Sequence, residues 1–240
     1  MNVLLLGAQG SGKGTQAQKL HEELHLTPLA SGELLREEIA RGTPNGRSAQ
    51  SYYDRGDLVP DSIIVSMILD RMARLEGSAG IILDGFPRTI AQAQVLDKAL
   101  AERGQQIDRV IYLDVPRELL LDRLHNRYVC RAMGHVYNLK TNPPRVPGIC
   151  DIDGSELYLR SDDAETAKIQ RRLDIFFNET IHLVDYYGKQ GKLILVDGTR
   201  GIDEVNREIL AALAALAALG AHASAQEGRS SERDGDPLPQ

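Results

Sequence analysis

The stretch Gly7-Ala8-Gln9-Gly10-Ser11-Gly12-Lys13-Gly14-Thr15 constrains this chain more than any other. It follows Val3-Leu4-Leu5-Leu6, an apolar run of the length of a fully buried strand. It precedes Gln16 to Leu26, where Ala17, Leu20 and Leu24 recur at helical spacing. Glycines between a buried strand and a helix are the setting of a phosphate-binding loop. They let successive N–H groups turn toward one point, where a Cβ would obstruct the dihedrals. The helix N-terminus adds partial positive charge, and Lys13 supplies a mobile cation for the outer phosphates of a nucleotide. A glycine-rich turn with a surface lysine is the plainer alternative, and the flanking elements speak against it. In the general pattern a Ser or Thr follows the lysine and its hydroxyl binds magnesium. Here Gly14 intervenes and Thr15 comes one later, which weakens a direct role for a loop hydroxyl.

Further along, apolar runs at 81–83, 110–113 and 192–197 read as strands, each separated from the next by helical patterns. Ile64, Met67, Ile68 and Met72 make one helix face, and Ala93, Leu96 and Leu100 another. Pro116 starts a helix through Leu120, Leu121 and Leu124, and long helices are expected over 164–187 and 203–219, the last with Gly220 as its C-cap. Strands alternating with helices indicate a parallel sheet covered on both faces.

Two segments interrupt that pattern. In the first, residues 30–59, Ser31 reads as an N-cap with Glu33 in the first turn. Residues 42–46 break the helix, a second runs over 48–55, and Asp57-Leu58-Val59-Pro60 is extended, with Asp61 capping the next helix. In the second, about 127–163, helical periodicity is lost and Pro-rich turns appear. Tyr128-Val129 and His135-Val136-Tyr137 are candidate short strands of a small β module. Residues 221–240 are polar and nearly free of large apolar side chains, so they read as a disordered tail.

Composition limits the partners. The net charge of -6 argues against a nucleic-acid binder, and no apolar run approaches membrane-spanning length. The N-terminus lacks the basic region of a signal peptide, and two cysteines cannot build a disulfide framework. A reducing cytoplasm is therefore expected.

Several polar residues sit where chemistry is possible. Asp84 ends a strand, where open α/β sheets bind ligands, and could orient water around magnesium or serve as a turn residue. Arg88 lies on the same loop. Gln92, a turn further, has an amide able to read a purine edge, or is a solvated helix residue. Arg123 and Arg127 share a helix face, Arg160 closes the β module, and Arg171 and Arg172 follow on the next helix. They make either a solvated basic face or a set of forks matched to phosphate oxygens.

These motifs together resemble the adenylate kinase family, in its long-lid, bacterial form. The resemblance rests on Gly-x-x-Gly-x-Gly-Lys-Gly-Thr at 7–15, Ser31-Gly32 with Arg36, Asp57-Leu58-Val59, and Asp-Gly-Phe-Pro-Arg-Thr at 84–89 with Gln92. Asp122-Arg123 with Arg127, Arg160-Ser161-Asp162-Asp163 and Asp197-Gly198-Thr199 add to it, so it covers nearly the whole chain to about residue 219. It implies an α/β P-loop kinase with a five-stranded parallel sheet covered by helices on both faces. The implied core is 1–29, 60–125 and 164–220, with a helical AMP-binding insertion at 30–59 and a small β lid at 126–163. The implied reaction is reversible phosphoryl transfer from ATP·Mg²⁺ to AMP, giving two ADP, in a monomer. ATP is implied on Gly10, Ser11, Gly12, Lys13, Gly14 and Thr15, with Arg123, Arg127, Val136, Tyr137 and Arg200. AMP is implied on Ser31, Arg36, Asp57, Leu58, Val59, Gly85, Phe86, Pro87, Arg88 and Gln92. Lys13, Asp84, Arg88, Arg123, Arg127, Arg160 and either Arg171 or Arg172 would surround the transferred group, the helix pattern Ile169, Leu173, Phe176 favouring Arg172. Departures are Gln9 for Pro, Ser31 for Thr and Ala91 for Pro, and one extra residue between Asp163 and Arg172.

The lid carries a further expectation. Cys130, Cys150 and Asp153 resemble three zinc ligands of the family's lids, but the fourth position is Met133, and His135 stands two residues away. A thioether suits Zn²⁺ poorly. Structural zinc is therefore not expected, with Met133 packing on the two thiols or the thiols forming a disulfide under oxidation. Alternatives for the whole chain are a kinase for another nucleoside monophosphate or with GTP as donor, and a non-catalytic nucleotide sensor. A P-loop GTPase is disfavoured by the lack of an Asn-Lys-x-Asp motif.

Overall fold

The computed structural model describes residues 1–75, 80–160 and 163–215. The expected tail at 221–240 and the Gly220 cap lie outside them. Five strands, β1 (Val3–Leu6), β2 (Thr27–Ala30), β3 (Ile81–Asp84), β4 (Arg109–Asp114) and β8 (Leu193–Asp197), form one sheet in the order β2-β3-β1-β4-β8. Every neighbouring pair is parallel. Such strands need helical crossovers, so helices cover both faces. On one face Leu4, Leu83 and Val110 pack against Ile68 of α4 (Asp61–Ala73), Leu96 and Leu100 of α5 (Ile90–Ala101) and Leu120 and Leu124 of α6 (Arg117–His125). On the other, Val3, Leu5, Ile82 and Ile111 pack against Leu20 of α1 (Lys13–Leu24) and Val205, Ile209 and Leu213 of a closing helix, α9, over 202–215. The two clusters take alternate residues of each strand, as a pleat requires. Each fully buried leucine contributes about 1.5–3 kcal/mol.

Register brings the functional loops to one edge. Leu5 and Ala30 both pair with Asp84, Leu6 with Tyr112, and Asp114 with Asp197. The segments after β1, β2, β3, β4 and β8 therefore all leave the sheet at its C-terminal edge, where open α/β sheets bind ligands.

Several local expectations differ from the structure. β2 carries Pro28 and is an edge strand, where a missing N–H is tolerated. Its apolar pattern is too short to read as a strand. Ser31 does not cap α2 (Ser31–Ala40): Ala30 is the N-cap, and Ser31 is helical and buried. The break expected at 42–46 is present but shorter, since α3 already begins at Pro44 and runs to Arg55 with Pro at its first position. Thr43 is its cap, accepting from the Gly46 N–H at 3.0 Å. Gly46 lies against α2, where a Cβ would come within 2.1 Å of the Glu38 carbonyl oxygen. Asp61 is likewise the first residue of α4 rather than its cap. The long helix expected over 164–187 is α7 (Thr166–Ile175), a π turn (Phe176–Thr180) and α8 (His182–Gly188).

Between α6 and α7 lies a second sheet, antiparallel, of β5 (Arg127–Cys130), β6 (Val136–Asn138) and β7 (Leu157–Leu159), with β5 central. Its core is small: Cys130, Tyr137, Cys150 and Leu157.

The Thr43 cap generates a test of the junction between α2 and α3. Thr43→Ala should lower unfolding free energy by about 1 kcal/mol and Thr43→Ser by much less, read from urea midpoints. Equal midpoints for all three proteins would contradict the capping role.

Candidate active site

The loop after β1 folds as its glycines permit. Gly10 and Gly12 have φ of 85° and 102°, which side-chain-bearing residues rarely adopt, and Gly12 is the N-cap of α1. A Cβ at Gly10 would lie 3.1 Å from the Leu124 side chain, so the loop rests directly on α6. Ser11 is buried, and its hydroxyl has no hydrogen-bond partner among the described residues. Lys13 folds back over the loop. Its Nζ donates to the Ala8 carbonyl at 2.9 Å and lies 3.9 Å from Asp84 Oδ1. Burial brings the Lys13 pKa down to about 8, with Asp84 opposing the shift and Arg88, Arg127 and Arg172 adding to it. Three arginines from separate segments thus stand close enough to Lys13 for their charges to act on it.

Asp163 organises two of them. Its carboxylate is fully buried, accepting from Arg127 Nε at 2.7 Å and from Arg172 Nη1 at 3.2 Å. Burial, followed by the charge of Arg160, pulls the Arg127 pKa to about 10, so Arg160 stands close by. Arg123 donates to the Gly198 carbonyl at 2.9 Å and to that of Gly10 at 3.5 Å, tying the α6 end to the phosphate loop. Arg171 faces outward: it is more than half exposed and pairs with Asp57, which also holds Arg55 at 2.8 Å. Hydrogen bonding from Arg55, with further help from Arg171, holds the Asp57 carboxyl below its usual range.

A second group gathers around the end of β3. The peptide between Phe86 and Pro87 is cis, and Gly85 has φ of 76°. A Cβ on Gly85 would meet the Ser31 hydroxyl at 2.7 Å, so Ser31, Gly85 and Arg88 are immediate neighbours. The Ser31 hydroxyl is buried and without a partner among the described residues. Arg88 Nε donates to the Gly85 carbonyl at 2.8 Å. Arg36 lies beside Gly32 on α2, and Val59 is buried against the core while Leu58 is half-buried. Gln92 is buried rather than solvated. Its Nε2 donates to Asp61 at 2.6 Å, and its Oε1 accepts from the Arg88 N–H at 2.7 Å. Thr89 caps α5 by accepting from the Gln92 N–H at 3.1 Å.

Two of the sequence candidates lie differently from the rest. The Arg200 side chain turns to Asp197, Glu204 and Glu208. Val136 is exposed on the second sheet while Tyr137 is buried in it, its hydroxyl 3.4 Å from Cys150 Sγ. The grip of Asp163 went unseen although it stands in the Arg-Ser-Asp-Asp run: Arg172 is nine residues on, but Arg127 comes from the far end of the inserted segment. Asp61 as a holder of Gln92 had no local signal.

The expectation about Met133 does not hold. Met133 is 72% exposed and does not pack with the thiols. The side chain that joins Cys130, Cys150 and Asp153 is His135, and the four ligand atoms lie within 4.8 Å of one another. His135 Nδ1 is 3.4 Å from each sulfur and 3.1 Å from Asp153 Oδ2, which is 3.1 Å from Cys130 Sγ. A tight turn, in which the Gly134 N–H donates to the Cys130 carbonyl at 3.2 Å, swings the imidazole inward. Among the described residues no helix is long and apolar enough to cross a membrane.

The family model described as adenylate kinase matches residues 5–192. Curated proteins named adenylate kinase are similar over most of their length. That of Carboxydothermus hydrogenoformans is 47% identical over 214 residues, covering 89% of this chain and 99% of the relative. That of Methanothrix thermoacetophila is 46% identical over 209 residues, covering 87% and 96%. That of Moorella thermoacetica is 44% identical over 205 residues, covering 85% and 94%.

The buried Lys13 ammonium has a measurable cost. Its pKa falls from 10.5 to about 8 on folding, so the unfolded chain binds more protons between those values and stability rises with pH there. Below about pH 8 the cost is complete. Lys13→Met should therefore be more stable than the parent at pH 7, by up to roughly 3 kcal/mol less the lost Ala8 hydrogen bond. That gain should shrink as pH rises toward 10.5. Unfolding measured without nucleotide across this range checks it, and a pH-independent difference would contradict it.

Proposed function

Given that this chain belongs to the adenylate kinase family and catalyses reversible transfer of the terminal phosphoryl group of ATP to AMP, we propose how its residues divide that work. The observation that carries the reading is the gathering of Lys13, Arg88, Arg127 and Arg172 in one cleft at the sheet edge. The reacting groups are phosphates on both sides, so no general base is needed. Catalysis is positioning, neutralisation of charge and exclusion of water.

ATP lies on the loop from Gly10 to Thr15. Its N–H groups and the start of α1 meet the phosphates, and the unpartnered Ser11 hydroxyl is available to them. Arg123, Arg127 and the backbone at Val136 and Tyr137 cover it, with the Arg200 backbone beside the adenine. AMP lies with Ser31, Arg36, residues 57–59, residues 85–88 and Gln92, whose amide would exchange Asp61 for the purine edge. Arg88, Arg160 and Arg172 bridge the two nucleotides. Asp163 is a positioning residue that aims Arg127 and Arg172. Arg171 is placed outside the transfer site because it is exposed and paired with Asp57. Magnesium bound with ATP would offset the charge of the phosphates. Asp84, whose carboxylate lies 3.9 Å from the Lys13 ammonium, would be the acidic group nearest the loop available to hold it. The insertion at 30–59 and the lid at 126–163 close over the pair. Two cysteines, too few for a disulfide framework, support action in a reducing cytoplasm.

The second sheet fits a structural zinc ion. Tetrahedral bonds of 2.0–2.3 Å give ligand–ligand edges of about 3.3–3.8 Å, and the donor spacings of 3.1–3.4 Å come close. Cys130, His135, Cys150 and Asp153 would hold it, joining the turn after β5 to the turn before β7. Elemental analysis of protein purified without added metal should give about one zinc per chain, and His135→Ala should lower both zinc content and melting temperature. A zinc-free parent protein refolded with zinc present would refute this assignment.

A coupled assay tests the substrates: AMP with ATP should exceed every other nucleoside monophosphate and GTP as donor. Lys13→Ala and Arg172→Ala should each lower kcat about a hundredfold or more with the fold intact. Arg171→Ala should stay within about threefold. Reversal of the two arginine results would exchange their assignments.

A further inference from the structure

We propose that Cys130 and Cys150 are a reversible redox pair, which a peroxide joins in a disulfide that displaces the metal and takes over its cross-link. The proposal extends the reading of this cluster as a zinc site. The two thiols are the only cysteines of the chain. Both are free and buried in the same small core. Their sulfurs lie within 4.8 Å of each other and flank one imidazole nitrogen at 3.4 Å each. No other thiol competes for either sulfur.

The backbone presents them as a matched pair. The Cys130 N–H donates to the His135 carbonyl at 3.0 Å and the Cys150 N–H to that of Ser155 at 2.8 Å. Each cysteine carbonyl in turn accepts from a glycine, Gly134 at 3.2 Å and Gly154 at 3.0 Å. Two similar turns therefore bring the sulfurs within 4.8 Å of each other, the gap a disulfide would have to close. The outer side of the cluster is formed by the His135 and Asp153 side chains, 18% and 17% exposed, over two buried thiols, so a peroxide must pass between these two side chains.

In the metal-free protein the chemistry balances as follows. One thiol sulfur attacks the peroxide, the O–O bond breaks, and a sulfenic acid and one water (or alcohol) form. The second sulfur attacks the first, the S–S bond forms and the S–O bond breaks. Hydroxide leaves with the second thiol's proton as water. Two sulfurs lose two electrons and the peroxide gains them. With zinc bound both sulfurs are thiolates, and two solvent protons enter the product water instead. A disulfide sulfur is a poor zinc donor, so the site loses half its ligands and the ion leaves. The nearby second thiol diverts the sulfenic acid from irreversible oxidation.

The test uses the full chain, as zinc-loaded and as chelator-treated protein, each exposed to hydrogen peroxide. Both samples should become lighter by two hydrogen atoms and yield a peptide linking Cys130 to Cys150, and dithiothreitol should reverse this. The loaded sample should release one zinc per disulfide. The oxidised protein should melt above the chelated, reduced one. Cys130→Ser should instead trap a dimedone-reactive sulfenic acid on Cys150. Sulfinic acid, cross-linked dimers or unreacted thiols in the chelated sample would overturn the redox pair, as would a lower melting temperature overturn its role as cross-link. A parent protein that holds no zinc yet forms the disulfide would refute the metal reading alone.

Discussion

The structure depends on keeping several cations close together out of water. Lys13, Arg88, Arg127 and Arg172 feel one another's charge, and Arg160 presses on Arg127. Repulsion at such separations, with little solvent to screen it, would spread the loops apart. What opposes it within the protein is chiefly one buried carboxylate, Asp163, gripping two guanidinium groups, with Asp84 near the lysine. The Lys13 pKa is depressed first by burial, and the neighbouring arginines add to the shift. A polyphosphate supplies the missing negative charge, so affinity for the nucleotides and relief of this repulsion are one free-energy term.

Placing those cations requires the parallel sheet. Lys13 follows β1, Arg88 follows β3, and Arg127, Arg160 and Arg172 all lie between β4 and β8; only strands running in one direction deliver these connections to the same edge. The helices then choose which side chain enters. Arg171 and Arg172 are adjacent in sequence, yet one residue of helical rotation separates a surface pair with Asp57 from a buried grip on Asp163. An exposed pair of the first kind contributes about 0–1 kcal/mol. The second acts where water is scarce.

What could be read from the sequence was what is local. The phosphate loop, the strand ending at Asp84, the Asp-Gly-Phe-Pro-Arg-Thr run and the helix faces through Leu96 and Leu120 declare themselves within a few residues. β2 escaped because an edge strand of four residues containing Pro28 has neither length nor alternation. β7 escaped for the same lack of length. Ser31 carries the chemistry of a cap, but its place beside Gly85 is set by pairing of β2 with β3. The partners of Gln92, the grip of Asp163 and the entry of His135 into the cysteine cluster are all meetings of separated segments. His135 shows the limit most sharply: its spacing looked wrong for a ligand until the turn at Gly134 was seen to bring it in.

The second sheet divides its duties along a single short strand. β5 begins with Arg127, held by Asp163, and ends three residues later with Cys130, packed into the cluster. Arg160 stands just past β7, again at the end nearest the rest of the protein. Chemistry is therefore confined to the seams of the inserted segment, and its mechanical integrity to the tip. The tip's cluster can therefore change its side chains, as with His135 inside it and Met133 outside, while the arginines at the seams stay where they are. A clamp built this way inherits its grip and its rivets separately.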